Sequence, residues 1–127
     1  MEVLFFIGRL MAGGFYIYNS FNHFSSLNMM AAFADSKGVP APKAAVLISG
    51  LFLLLGGISI ITGVFVITGI ILIALFLLIV SFYMHAFWKI GEEKTRRPEL
   101  INFAKNMALL GSALMFLAIP RPWPFSL

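Results

Sequence analysis

The chain contains no cysteine. That excludes disulfides, thiolate metal sites and thiol redox chemistry within it. Charge is scarce as well: 11% of the 127 residues are Asp, Glu, Lys or Arg, against 61% hydrophobic. At a mean hydropathy of +0.98 there is too little polar surface to coat a soluble domain, so lipid is the expected solvent. The net charge of +4 does not point to nucleic acid, because the cations sit at the ends of apolar runs rather than along a solvated stripe. The start, Met1-Glu-Val-Leu-Phe-Phe6, has no positive run and no small-residue cleavage site after it, so the first apolar segment is expected to be retained. Glu92 and Glu93 lie in a solvated charge run with no histidine beside them, and no metal site is expected.

What the chain does have is four apolar segments, at about residues 3–24, 44–62, 64–88 and 100–119. Each approaches the roughly 20 helical residues that a bilayer core requires, and spanning segments must satisfy their own backbone, as helices do. The expected fold is all-α: an integral membrane four-helix bundle, one domain over 1–127. Residues 28–34 form a semi-apolar run suited to a short helix lying in the interface, ended by Gly38, Pro40 and Pro42. The uncharged turn near Thr62-Gly63 joins segments two and three as a tight hairpin.

Segment one has a polar face. At about 100° per residue, Gly13, Tyr16, Ser20 and His23 fall within about 40° of Arg9, and Asn19 lies about 80° away. In lipid such a face turns toward protein. Segment two groups Ser49, Gly56, Ser59 and Gly63 on one side, which permits close helix approach. Segment four begins after the charged run ending at Pro98 and still carries Asn102, Lys105 and Asn106 in its first turns. It stops at Pro120-Arg-Pro-Trp123, where Trp123 suits an interfacial anchor. Seven of the nine cations (Lys37, Lys43, Lys89, Lys94, Arg96, Arg97 and Lys105) belong to one side of such a bundle. Both long loops are therefore expected to be cytoplasmic and both termini outside.

Up-and-down threading brings His23, Asn19, His85, Trp88, Asn102, Lys105 and Asn106 to one level. Singly, each has a bland reading: Lys105 snorkels to the headgroups, the asparagines bond neighbouring helices, and the histidines are interfacial hydrogen-bonding residues. Together, two imidazoles beside an amide-lined cation suit a quinone or another oxygen-bearing ring. Tyr16, Phe24 and Trp88 are then placed to stack on it. A haem held by the two histidines is the weaker reading, because only one such pair exists. Arg9 lies about 20 Å of helix from His23. It is expected to act as a structural clamp on the free carbonyls ending segments two and four.

Several blocks resemble the DoxX family. They are Gly8-Arg9-Leu10, Asn19-Ser20-Phe21-Asn22-His23-Phe24, Ser36-Lys37-Gly38-Val39-Pro40-Ala41-Pro42, Leu54-Leu55-Gly56-Gly57, His85-Ala86-Phe87-Trp88 and the run from Asn102 through Lys105-Asn106 to Gly111. The similarity covers nearly the whole chain in the same order. It implies a four-helix protein of the prokaryotic inner membrane with a link to membrane redox chemistry. Related DoxD-type proteins are subunits of thiosulfate:quinone oxidoreductase, and some DoxX proteins associate with soluble thiol or superoxide enzymes. Family motif positions fall on Arg9, His23, Lys37, His85, Lys105 and Asn106. Asn19-Ser20 departs from an expected small residue and glycine, and Ala86 from a common proline.

The resulting expectation is a redox-complex subunit, a quinone-linked oxidoreductase component, with its ligand at the cytoplasmic end of the bundle. His23 and His85 would hydrogen-bond and protonate the ligand, Lys105 would stabilise developing negative charge, and Asn19, Asn102 and Asn106 would orient it. The alternative is a non-catalytic scaffold that recruits a soluble redox enzyme through its basic loops. The small-residue faces also suit pairing with a second copy.

Overall fold

The computed structural model describes residues 1–127 and contains no strand. Five helices follow in order: α1 (Glu2–Ser25), α2 (Leu27–Ser36), α3 (Pro42–Thr62), α4 (Val66–Met84) and α5 (Glu93–Leu117). A short 3₁₀ turn at Phe87–Lys89 precedes α5. Three stretches are long and apolar enough to cross a membrane: Pro42–Thr62, Val66–Lys89 and Glu93–Leu117. At 24 residues α1 has the length, but Arg9, Asn19, Asn22 and His23 dilute its hydropathy.

Local chemistry sets the boundaries. Pro42 sits in the first turn of α3, where a missing N–H breaks no helical bond. Gly63 ends the same helix in the left-handed region, at φ 75°, which glycine adopts without strain. The Ser59 hydroxyl donates to the Val64 carbonyl at 2.7 Å, closing the tight α3–α4 hairpin. In α2, Ala31 and Ala34 are buried while Met29 and Phe33 are exposed, so a short two-faced helix stands where the semi-apolar run lies.

The last two segments differ from the expected bounds. Segment three leaves its helix at Met84 rather than at residue 88, and the chain turns through His85 and Ala86 into the 3₁₀ turn. The helix of segment four, α5, begins at Glu93, not after the proline, and takes Pro98 into its interior. Residues 91–98 are exposed throughout, so the Lys94 carbonyl that Pro98 deprives of a donor can be hydrated. Glu93 in the first turn also suits the positive helix end.

Packing is governed by small residues. A side chain at Gly57 would meet the Gly13 carbonyl at 2.8 Å, and one at Gly13 would meet the Gly57 carbonyl at 2.7 Å. Here α1 and α3 touch backbone to backbone. On the neighbouring face of α3, a side chain at Gly56 would meet the Gly69 carbonyl of α4 at 3.0 Å. Leu53, Ile60, Ile70, Ile73 and Leu77 fill the interior, with α3 central and α4 joining it to α5. The first and last helices meet at one end through Phe5 and Phe116, with ring centroids 6.1 Å apart. The carboxyl-terminal tail folds back over that end: Trp123 stands edge-on to Phe5 at 5.3 Å, and the Leu127 N–H donates to the Thr62 carbonyl at 3.0 Å.

Candidate functional site

The principal cavity lies beneath α2, between α3 and α4, with a volume of about 690 Å³. That falls in the range of small-molecule sites. Its wall is almost entirely apolar, 14 of 17 residues being hydrophobic, and its polar side chains are those of His23, Ser49 and Tyr83.

His23 reaches this cavity from the last turn of α1 and is 8% exposed. Gly50 of α3 makes room for it, since a side chain there would meet the His23 Cβ at 2.9 Å and the Phe24 ring at 2.8 Å. Phe76 of α4 stands nearly edge-on to the imidazole, with centroids 5.6 Å apart. The ring Nδ1 lies 2.8 Å from the Asn19 carbonyl oxygen. A carbonyl can only accept, so Nδ1 carries the proton and donates. Gly50 had no apparent role in the sequence. What could have revealed it is its place on the helix face that meets the end of α1.

The remaining candidate residues do not line this cavity. The Nδ1 of His85 pairs with Glu99 Oε2 at 2.5 Å, fastening the end of α4 to the second turn of α5. Trp88 enters an aromatic cluster, 5.3 Å from Phe87 and 5.6 Å from both Phe82 and Phe103. Asn102 borders a polar surface groove with Glu93, Lys94 and Arg97. Lys105 is exposed. Asn106 and Tyr16 are buried, at 7% and 2% exposure. The Asn19 side chain donates back to the Phe15 carbonyl at 2.8 Å. The two imidazoles thus take different partners, and Lys105 bonds neither. Glu99 went unnoticed in the sequence because it follows a charged run, where one more carboxylate carries no distinguishing signal.

At the opposite end, Arg9 is fully buried. Its Nε donates to the Ile60 carbonyl at 2.9 Å, Nη2 to the Ile61 carbonyl at 2.6 Å, and Nη1 to the Pro124 carbonyl. The guanidinium also lies over the rings of Phe5, Phe6 and Trp123, at 5.7, 5.5 and 5.2 Å. Three carbonyls and three aromatic faces share the cation, with no carboxylate recorded beside it.

Among known proteins, the DoxX family model matches residues 4–86. No curated protein and no solved structure matches the chain.

Proposed function

The chain belongs to the DoxX family, and on that premise we propose a four-span protein of the prokaryotic inner membrane that binds a quinone-type lipid beneath α2, as a subunit of a redox complex. The fourth span is α1. Its buried residues are Arg9, Gly13, Tyr16, Ser20 and His23, so these polar groups face protein, while exposed Leu10, Met11, Phe15 and Phe21 suit a lipid-facing side. The excess of cations on the two long loops supports their cytoplasmic placement.

The observation that carries the ligand is the cavity itself. It is apolar, large enough for a substituted ring, and furnished with one deeply buried imidazole. The residues fit such a group: Phe76 and His23 offer ring edges, and the flanking aliphatic side chains accept an isoprenoid tail. When bound, the ring supplies two-electron chemistry. The protein's own residues orient it, keep water from it and present an imidazole nitrogen to its oxygen. The chain has no cysteine, so electron exchange falls to a partner protein. His85 and Lys105 are outside this assignment.

Native mass spectrometry of protein extracted from its own membrane tests the reading. Wild type, His85→Ala and Lys105→Ala should all carry a quinone-mass adduct, and Ile48→Trp, which fills the cavity from its exposed side, should lose it. A bare chain, or an adduct indifferent to Ile48→Trp, overturns the assignment. A chain that retains only a soluble protein favours the second reading, a scaffold. That reading rests on the wholly exposed, charge-rich run 91–98.

A further inference from the structure

The cavity beneath α2 holds hydrogen-bond acceptors but hardly any free donor. In the neutral imidazole of His23 one nitrogen donates and the other accepts. Since Nδ1 donates to Asn19, Nε2 is the acceptor. Nε2 has no partner in the chain, yet the one fully buried side-chain polar atom left without a partner is Ser126 Oγ. Nε2 is therefore accessible, and His23 is one of the three polar residues that line the cavity.

Ser49 is biased in the same direction. Its hydroxyl proton is committed to the Val46 carbonyl at 2.9 Å, which leaves the oxygen lone pairs. Backbone donors along the wall are occupied too. The Val39 N–H bonds the Ala34 carbonyl at 3.1 Å, the Ala45 N–H bonds the Ala41 carbonyl at 2.9 Å, and Pro40 has no N–H. Tyr83 is the exception, but it is half exposed, and its hydroxyl serves equally as donor or acceptor.

We infer that the cavity selects a ligand whose ring donates a hydrogen bond: a phenol-type or hydroquinone-type hydroxyl that donates to His23 Nε2, with Ser49 Oγ offering a second acceptor, in preference to a ring carbonyl. A carbonyl placed at Nε2 sets acceptor against acceptor and leaves two desolvated groups unpaired, whereas a hydroxyl pairs with the nitrogen. The inference rests on the ligand site assigned above and specifies its occupant as the reduced, hydroxyl-bearing form.

The test uses the full chain in nanodiscs, with binding corrected for partition into empty discs. Two matched pairs of probes are titrated: an alkylphenol against its methyl ether, and an alkyl hydroquinone against the benzoquinone with the same tail. The phenol should bind roughly tenfold more tightly than the ether, because a site built around a hydrogen bond rejects the analogue that cannot make it. The hydroquinone should exceed the quinone similarly. In His23→Phe, which keeps an aromatic ring against Phe76, both preferences should collapse to within about twofold, and Ser49→Ala should weaken them without disturbing His23. An ether that binds as well as the phenol overturns the inference, as does a preference that survives His23→Phe. If the phenol preference holds while neither quinone form binds, the donor-selective site stands and the redox assignment falls. If no probe binds, both fall.

Discussion

Arg9 is a cation with no counter-ion, and its surroundings decide what a substitution there does. Its planar fork reaches three carbonyls that a helix end and a proline-rich tail leave without donors. A lysine at this position keeps the charge but has neither the fork nor the flat face that meets Trp123. Arg9→Lys is expected to cost about 3 kcal/mol, since bonds to a charged group contribute about 1.5–3 kcal/mol each and only some are lost. Thermal melting in detergent should show it, and an unchanged melting temperature would remove the clamp. His85 and Glu99 act on a smaller scale. Their side chains are 18% and 15% exposed, so a double-mutant cycle of His85→Ala and Glu99→Ala should return a coupling of about 1 kcal/mol. Neither residue lines the cavity, so probe binding beneath α2 should survive either change.

The helices touch where they lack side chains. Gly57 and Gly13 present their backbones to each other across the α1–α3 contact, and neither carbonyl can yield as a flexible side chain would. Gly57→Leu should therefore unseat α1 and lower the melting temperature more than any other single glycine change in α3. Gly14, one position from Gly13, has nothing within 4 Å of an added Cβ. Gly14→Ala should leave stability within about 1 kcal/mol of wild type, the scale of helix propensity alone. If both variants melt alike, close approach is not what holds α1. The small-residue face of α3 and the polar face of α1 were legible because helical phase fixes which residues share a side. Gly57 was not, because its partner lies on a different helix and phase alone does not pair helices. The start of α5 was misplaced for a related reason. Proline discourages a helix locally, but an exposed run that can hydrate its carbonyls tolerates it, and exposure is a tertiary property.

For the whole molecule, the sequence carried the helix count and the tight hairpin, because apolar length and turn chemistry are local. It did not carry the division of the polar residues into separate neighbourhoods. His23 and His85 share a depth by threading, but the bend at His85 turns that ring toward Glu99, and α2 roofs a cavity that no spacing rule places. The same difference of scale applies to α1, whose length permits a span while its polar residues lower its hydropathy. The absence of cysteine makes the decisive measurement clean, since single cysteines can be introduced without background. Glu2, Ser36, Phe65, Thr95 and Leu127 are all exposed and lie at the turns or ends. In a four-span chain, Ser36→Cys and Thr95→Cys should react with a membrane-impermeant maleimide from the cytoplasmic side alone, and Glu2→Cys, Phe65→Cys and Leu127→Cys from the opposite side alone. If α1 instead lay along the surface, Glu2→Cys would label together with Ser36→Cys while Phe65→Cys kept to the other side. That outcome would put the polar face of α1 at the interface and would take Arg9 away from the Ile60 and Ile61 carbonyls, which lie at the Phe65 end of α3. The single pattern at Glu2 thus decides whether α1 crosses the bilayer beside α3, as the Gly13–Gly57 contact and the Arg9 clamp both require.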